Sequence, residues 1–189
     1  MLTETEIPGV FVVAAKVFRD PRGWFQEIWN PARIGARPDF PAAFVQDNVS
    51  VSRPGVIRGL HYQYPRGQGK LVSVLTGTIL DIAVDIRVGS PTFGRWVAVE
   101  LTAGDGRQIY LSEGCAHGFA VRGDVPATVL YKCTTAYDPG GEWGVRWDDP
   151  RLAIDWGVKD PILSDKDRRA PLLAEVPPER LPRFLAAEH

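Results

Sequence analysis

One short stretch, Gly55–Val72, places three chemically useful side chains close together in the chain. His61 lies three residues after Arg58 and nine residues before Lys70. An imidazole can transfer a proton near neutral pH, and a nearby cation can hold an anionic group. Alternation along a strand puts Arg58 and His61 on opposite faces, so a shared site requires the strand to end or bulge near Gly59. Taken alone, His61 is more often a hydrogen-bonded structural histidine.

A second histidine, His117, lies in LSEGCAHGFAV (111–121), which resembles the second metal motif of cupins with Ser112 in place of a proline. The first cupin motif needs two histidines that flank one residue, whereas this chain has only His61-Tyr62-Gln63. His189 is terminal, so a metal would have at most two histidines and a carboxylate as ligands. We therefore expect no metal.

Tyr131 lies in VLYKCT and shares a strand face with Val129 and Cys133 by alternation. A tyrosine in a β core usually only satisfies its hydroxyl, but it can also donate a proton. Lys166 and Asp167, in LSDKDRRAP, have the composition of an exposed charge cluster. Together, an imidazole, a lysine, a tyrosine and an aspartate suit enolisation. A base removes a proton beside a carbonyl, a cation stabilises the enolate and an acid returns the proton.

Composition limits the partners that we expect for this chain. With 189 residues, 44% hydrophobic and 24% charged, it can bury the core of one globular domain. A net charge of -1 predicts no nucleic-acid partner and no acidic membrane surface. No segment has the length of a membrane span or the pattern of a signal peptide, so the expected compartment is the cytoplasm. Two cysteines are too few for a disulfide framework.

The elements that must position these residues are predicted to be short strands. The chain has 19 glycines and 16 prolines, which divide it into short pieces, and many closely spaced strands indicate a sandwich or barrel. Two short helices are predicted near the end, Asp165–Ala174 and Pro178–Ala187. The predicted strands are Val10–Phe18, Trp24–Trp29, Phe44–Ser52, Val56–Gln63, Leu71–Thr76, Thr78–Arg87, Trp96–Leu101, Gln108–Leu111, Gly118–Val121, Thr128–Cys133 and Glu142–Trp147.

A hairpin is predicted around a two-residue turn at Thr76-Gly77, with Lys70 opposite Ala83 and Val72 opposite Asp81. One face of this hairpin is then wholly apolar except for a serine and forms a core face. The other face mixes a lysine and two aspartates with small apolar groups, and it either lines a cavity or lies in solvent. Its members are Lys70, Val72, Val74, Ile79, Asp81, Ala83 and Asp85.

Nine segments in family order identify the chain as similar to the dTDP-4-dehydrorhamnose 3,5-epimerases, which are nucleotide-sugar epimerases of the cupin superfamily. The segments cover most of the chain, so the resemblance is more specific than a single short motif. They are DPRGWFQE (20–27), FVQDNVSVS (44–52), GVIRGLHYQ (55–63), QGKLV (68–72), DIAVDIRVGSPTFGRW (81–96), EGCAHGF (113–119), VLYKCTTAYDP (129–139), EWG (142–144) and LSDKD (163–167).

The resemblance implies a mainly β fold, a jelly-roll (cupin-like) double-sheet barrel with short C-terminal helices. It implies one epimerase domain over 1–189, with the jelly-roll core over about 10–150 and a helical part over about 160–189. It also implies a homodimer that acts on a dTDP-sugar without a metal or another cofactor.

The resemblance assigns roles to individual residues. His61 is implied as the base and Asp167 as the carboxylate that supports it. Tyr131 is implied as the proton donor on the opposite face of the sugar, and Lys70 lies by the keto oxygen. The other implied substrate contacts are Arg58 at the diphosphate, Tyr137 on the thymine, His117, Phe25, Gln46, Asp47, Asn48, Glu142 and Lys166, with Arg22 and Glu27 reaching the partner's site.

The expected reaction is epimerisation at C3 and C5 of dTDP-4-dehydro-6-deoxy-D-glucose, giving dTDP-4-dehydro-L-rhamnose. Three alternatives remain open at this point. The first is an enzyme that inverts only one of the two carbons, as in antibiotic-sugar pathways. The second is a metal-dependent cupin enzyme, although the missing paired histidines argue against it. The third is a sugar-binding jelly roll without catalysis, which would not need the base, the acid and the lysine together.

Overall fold

The structure is a computed structural model that describes residues 1–34 and 40–185. His189 and the end of the second predicted helix lie outside the described residues. The helices are α1 (Pro31–Ile34) and α2 (Asp165–Arg169), and two 3-10 helices cover Leu173–Glu175 and Pro178–Arg180. The strands are β1 (Leu2–Glu4), β2 (Val10–Ala14), β3 (Val17–Asp20), β4 (Gly23–Gln26), β5 (Gln46–Ser52), β6 (Ile57–Gln63), β7 (Lys70–Thr76), β8 (Thr78–Asp85), β9 (Trp96–Thr102), β10 (Arg107–Leu111), β11 (Cys115–Arg122), β12 (Ala127–Cys133) and β13 (Glu142–Gly144).

Two antiparallel sheets form the body of the protein. One has six strands in the order β1-β2-β10-β7-β12-β5, and the other has five in the order β13-β6-β11-β8-β9. The strands β3 and β4 form a separate two-stranded hairpin. The mainly β, double-sheet fold expected from the sequence is confirmed. The predicted strands all have counterparts, whereas β1 and α1 were not predicted.

The main apolar core lies between the two sheets, because its members come from both of them. Val72 and Ile109 belong to the six-stranded sheet, and Ile79, Ala83 and Phe119 to the five-stranded sheet. Two further clusters cover the outer faces. The C-terminal segment packs Leu152, Trp156 and Leu173 on the five-stranded sheet, and Phe11, Phe40 and Tyr110 cover the six-stranded sheet. Both faces of the central strands are therefore buried.

The predicted pairing of β7 with β8 is wrong. The two strands follow each other at Thr76-Gly77, but β7 pairs with β10 and β12, while β8 pairs with β11 and β9. The turn therefore carries the chain from one sheet to the other. Alternation assigns side chains to faces but does not select a strand's partner, and a strand that is buried on both faces fits inside either sheet.

The predicted division of side chains between the two faces of these strands is nevertheless confirmed, although the set predicted as the core face packs in the outer clusters and the mixed face lies in the main core. Val72, Val74, Ile79 and Ala83 all point between the sheets. The opposite set divides into two outer clusters, with Leu71 under the aromatic residues and with Ile82, Val84 and Ile86 under the C-terminal segment. The mixed face is interior rather than solvated, since Lys70, Asp81 and Asp85 are all buried.

The C-terminal helices are shorter than predicted. The helix expected over Asp165–Ala174 ends at Arg169, and a 3-10 helix follows at Leu173–Glu175. Pro171 explains the interruption, because a proline disfavours the helical conformation of the residue before it. In the described part of Pro178–Ala187, only the 3-10 turn Pro178–Arg180 is helical.

Candidate active site

A cavity of about 250 Å³ lies between the two sheets and is rich in polar side chains. Most of its lining comes from strands of both sheets, so opposite walls belong to different sheets. The lining residues are Gln46, Asn48, Arg58, His61, Gln68, Lys70, His117, Phe119, Tyr131, Tyr137 and Glu142. A larger cavity of about 500 Å³ lies beside the N-terminus, but its lining residues include no histidine and no tyrosine. We therefore place the candidate site in the smaller cavity.

His61 forms a partly buried pair with Asp167, which lies 106 residues further along the chain. Its Nε2 is 2.5 Å from Oδ1 of Asp167, and Asp167 is nearly inaccessible to solvent. Ser164 caps α2 by accepting a hydrogen bond from the Asp167 backbone N–H at 3.1 Å. The cap fixes the first turn of this short helix and so fixes the carboxylate.

The pKa of Asp167 lies below its usual value. Burial by itself raises this pKa, but the hydrogen bond and the charge of His61 outweigh burial and lower it. Asp167 is therefore ionised at neutral pH, and Nε2 of His61 donates to it. Nδ1 is then the imidazole nitrogen left to accept a proton.

Of the two arrangements expected near Gly59, a strand end or a bulge, the structure has the bulge, and β6 continues to Gln63. His117 on β11 pairs with His61 and Phe119 pairs with Arg58, so two residues of β6 lie opposite Gly118 alone. This extra residue reverses the alternation, and Arg58 and His61 both line the cavity. Gly59 has φ +120°, in the region that favours glycine.

The second histidine, His117, has its own carboxylate. Its Nε2 lies 2.8 Å from Oδ2 of Asp81, which is fully buried. Burial raises the pKa of Asp81, although the nearby charges of His117 and Lys70 act against this. Burial lowers the pKa of Lys70, while the acidic groups Asp81 and Glu142 act in the opposite direction. The cavity floor thus combines a lysine and an imidazole in a medium that strengthens electrostatic interactions.

Tyr131 lies on β12 of the six-stranded sheet, and His61 lies on β6 of the five-stranded sheet. Both line the cavity, so they approach it from opposite walls. Burial raises the pKa of Tyr131 above its usual value, and the hydroxyl keeps its proton at neutral pH. The cavity therefore holds a proton acceptor and a proton donor on facing sheets.

The cavity rim is a continuous chain of hydrogen bonds. Lys166 forms an ion pair with Glu142, and the Tyr137 hydroxyl donates to the same carboxylate at 2.7 Å. The Tyr137 backbone N–H donates to Gln46 at 2.8 Å, and Gln46 donates to Asn48 at 3.0 Å. Burial alone raises the pKa of Glu142, but the bonds from Lys166 and Tyr137 outweigh it and lower that pKa.

Six of the predicted site residues are not among those that line this cavity. Two of them, Asp167 and Lys166, reach it through their contacts with His61 and Glu142. The other four lie away from it in the single chain. Asp47 points to the outer surface, where Lys132 donates to its carboxylate at 2.7 Å. Arg22 is almost fully exposed at the tip of the β3–β4 hairpin, and Phe25 is exposed on the same hairpin. Glu27 lines the cavity beside the N-terminus and accepts a hydrogen bond from Asn30.

Sequence analysis missed three residues that belong to the cavity or support it. Gln68 and Phe119 line it. Asp81 holds His117, and its place on the mixed face beside Lys70 was the available signal. Gln68 is the first residue of the QGK segment, where only the lysine was assigned a role.

Metal ligands and membrane spans were searched for in the described residues. Within 1–34 and 40–185, no group of three or more histidine, cysteine, aspartate or glutamate side chains is arranged to hold a metal ion. His61 and His117 each have a hydrogen bond to a separate aspartate, which does not form a common ligand set. The described helices include none that is long and apolar enough to cross a membrane.

The comparisons with known proteins agree with one another. A family model described as dTDP-4-dehydrorhamnose 3,5-epimerase matches residues 4–175. A curated dTDP-4-dehydrorhamnose 3,5-epimerase from Shigella flexneri is 48% identical over 165 residues, which are 87% of this chain and 91% of that protein.

Two solved structures share the fold over nearly their full length. One is the dTDP-6-deoxy-D-glucose-3,5-epimerase of Legionella pneumophila Philadelphia 1 in complex with dTDP-4-keto-L-rhamnose. Its TM-score with this chain is 0.93 at 45% sequence identity, and the match covers 98% of this chain and 99% of that protein. The structure of a 4-keto-6-deoxy sugar epimerase from the novobiocin biosynthetic gene cluster of Streptomyces spheroides has a TM-score of 0.92 with this chain at 41% sequence identity. The match covers 97% of this chain and 93% of that protein.

Proposed function

The chain belongs to the dTDP-4-dehydrorhamnose 3,5-epimerase family, and from this we propose that it inverts C3 and C5 of dTDP-4-dehydro-6-deoxy-D-glucose, giving dTDP-4-dehydro-L-rhamnose. It is an isomerase. The observation that carries the proposed mechanism is the placement of the His61–Asp167 pair and Tyr131 on facing walls of one cavity.

The first step is removal of a proton beside the 4-keto group. The carbonyl acidifies the C–H bonds at C3 and C5, and Nδ1 of His61 takes the proton. The imidazolium that forms keeps its hydrogen bond to Asp167, whose negative charge stabilises it. Lys70 stabilises the developing enolate oxygen, and it does so strongly because its ammonium group is buried.

The second step returns a proton from the other side. Tyr131 donates to the carbon from the wall opposite His61, so the configuration inverts. His61 is then protonated and Tyr131 is deprotonated, and exchange with water restores both groups before the second carbon reacts. No electrons are transferred, which is consistent with a reaction that needs side chains alone.

The nucleotide is proposed to lie along the rim. Arg58 binds the diphosphate, since a guanidinium can hold two phosphate oxygens, and His117 lies on the same side of the cavity. Tyr137 stacks on the thymine, which its half-exposed ring supports. The other proposed contacts are Gln46, Asn48, Glu142 and Lys166. The Asp47 side chain is left out of this set, because it points to the outer surface and binds Lys132.

We further propose a cytoplasmic homodimer in which Arg22, Phe25 and Glu27 act at the partner's site. Arg22 and Phe25 lie on the projecting β3–β4 hairpin and do not line their own chain's cavity. The hairpin also exposes large apolar rings, with Phe18 45%, Trp24 42% and Phe25 67% accessible. Apolar rings clustered on an exposed element are typical of an interface.

The experiment that tests this function is NMR of the substrate in deuterium oxide with the purified protein. Deuterium at both C3 and C5, together with the inverted sugar, is the expected result. Exchange at one carbon alone would establish the single-carbon alternative. The similarity to a dTDP-4-dehydrorhamnose 3-epimerase of Streptomyces niveus, 43% identical over 170 residues, keeps that alternative in view. Binding of the sugar nucleotide without exchange at either carbon would contradict an epimerase and leave a sugar-binding protein.

A further inference from the structure

Gln63 is a buried amide that lies next to the cavity but does not line it. It is the last residue of β6 and only 6% of it is accessible. Its Nε2 donates to the carbonyl of Arg66 at 2.9 Å and to that of Ala136 at 3.3 Å. Its Oε1 accepts from the backbone N–H of Asp138 at 2.9 Å. Both ends of the amide are therefore occupied by backbone groups.

Two of these partners lie on either side of Tyr137. The segment from 134 to 141 joins β12 to β13 and contains neither a helix nor a strand, so its backbone is not held by a sheet. Gln63 holds the peptide groups before and after Tyr137, while the Tyr137 N–H itself bonds to Gln46. The same segment leads directly into Glu142, which pairs with Gln63 in the β6–β13 register.

We propose that Gln63 is a positioning residue for the nucleotide end of the site. It fixes the 134–141 segment so that Tyr137 and Glu142 stand at the rim before the substrate arrives. This inference rests on the proposed function, in which Tyr137 contacts the thymine. A loop that is already ordered loses less conformational entropy on binding, so its preorganisation raises affinity. The reacting groups His61, Lys70 and Tyr131 lie instead on the paired strands β6, β7 and β12.

The first test is Gln63→Met, which is close in size and removes all three hydrogen bonds. The Kd of dTDP measured by titration calorimetry is expected to rise about tenfold, and the substrate KM to rise with it. The kcat at saturating substrate is expected to stay within about twofold of wild type, because the loop does not carry the proton-transfer groups.

A second variant, Gln63→Glu, gives a readout that general destabilisation would not produce. A carboxylate beside the carbonyls of Arg66 and Ala136 is repelled, whereas its protonated form can donate to one of them. The ratio of the variant's Kd for dTDP to the wild-type Kd is therefore expected to fall as the pH falls from about 8 to about 5.5. For Gln63→Met, the same ratio is expected to stay flat.

The matched control is Thr92→Val, which removes another buried hydrogen bond without a large change of shape. The Thr92 hydroxyl donates to Asp85 at 2.6 Å, in a cluster outside the cavity. This variant is expected to lower the melting temperature while keeping the dTDP affinity of wild type.

Equal affinities in wild type and Gln63→Met would overturn the role of Gln63 and leave the proposed function intact. An equal loss of affinity in Thr92→Val would also overturn it, because the effect would then follow stability. If wild type itself did not bind dTDP, the proposed function would fail first.

Discussion

His61 and Asp167 show how one hydrogen bond can assign a chemical role to each atom of a side chain. The carboxylate is ionised, since its pKa is lowered by the imidazole despite burial. It therefore accepts from Nε2 and leaves Nδ1 as the base. His117 forms a similar pair with Asp81, but burial raises the pKa of that carboxyl. The two pairs are thus alike in geometry and different in electrostatics.

His61→Ala is expected to slow deuterium exchange at both carbons by about 10²–10⁴, because the general base is lost. Asp167→Asn should have a milder effect, since the imidazole remains but is less well oriented. Deuterium incorporation followed by NMR measures both, and dTDP affinity serves as the control for folding of the site. Turnover of His61→Ala close to wild type would remove this residue from the role.

Tyr131→Phe is expected to separate exchange from inversion. His61 can still form the enolate, and Lys70 can still stabilise it, but the proton then returns mostly from His61 to the original face. The ratio of deuterium incorporation to inverted sugar should rise well above that of wild type. An unchanged ratio in a variant with a normal thermal melt would mean that another group delivers the proton.

At the scale of elements, the bulge in β6 decides which side chains reach the cavity. Without it, Arg58 and His61 would point to opposite faces of the five-stranded sheet. The bulge also requires a glycine. A Cβ on Gly59 would lie 2.5 Å from the Cα of Gly118 and 2.7 Å from the carbonyl oxygen of His117. The close approach of β11 therefore excludes any other residue at this position.

Gly59→Ala is expected to lower the free energy of unfolding by more than about 3 kcal/mol, since backbone strain and a backbone clash add together. The folded fraction should also lose activity, because the bulge orients both Arg58 and His61. Denaturant unfolding and kcat/KM measure the two effects.

Gly55→Ala is the matched control, with φ +79° and open space around the added carbon. It should cost about 1–2 kcal/mol and keep its activity. Equal losses in the two variants would argue against the tight approach at Gly59.

At the scale of the whole molecule, the described chain leaves Arg22 away from its own cavity and exposes the rings of the hairpin that carries it. In the proposed homodimer, each active site would take His61 from one subunit and Arg22 from the other. A closed two-fold dimer supplies both contacts reciprocally, so each subunit completes the other's site.

This arrangement predicts complementation between two inactive variants. Arg22→Ala and His61→Ala should each be weak alone. In a mixed dimer, one site carries both changes and the other carries neither. A one-to-one mixture after subunit exchange should therefore recover about a quarter of wild-type activity. Activity that stays at the mean of the two separate variants would show that Arg22 does not serve the partner's site.

The sequence by itself determined the properties that depend on residues close together along the chain. Alternation divided the side chains of β7 and β8 correctly between two faces, and a bulge or a strand end at Gly59 followed from requiring Arg58 and His61 in one site. The family motifs named the residues that gather at the cavity. Each of these inferences depends on spacing along the chain or on residue type, which the sequence states directly.

Only the tertiary structure decided which distant segments meet. The chain crosses between sheets at Thr76-Gly77, and local pattern cannot choose among possible partners for the strands on either side, since both of their faces are buried. In the same way, Lys166 and Asp167 have the composition of an exposed charge cluster. They become part of the site because the C-terminal segment packs on the outer face of the five-stranded sheet and brings α2 to β6. That contact depends on the burial of apolar surface across the whole molecule, which no short segment encodes alone.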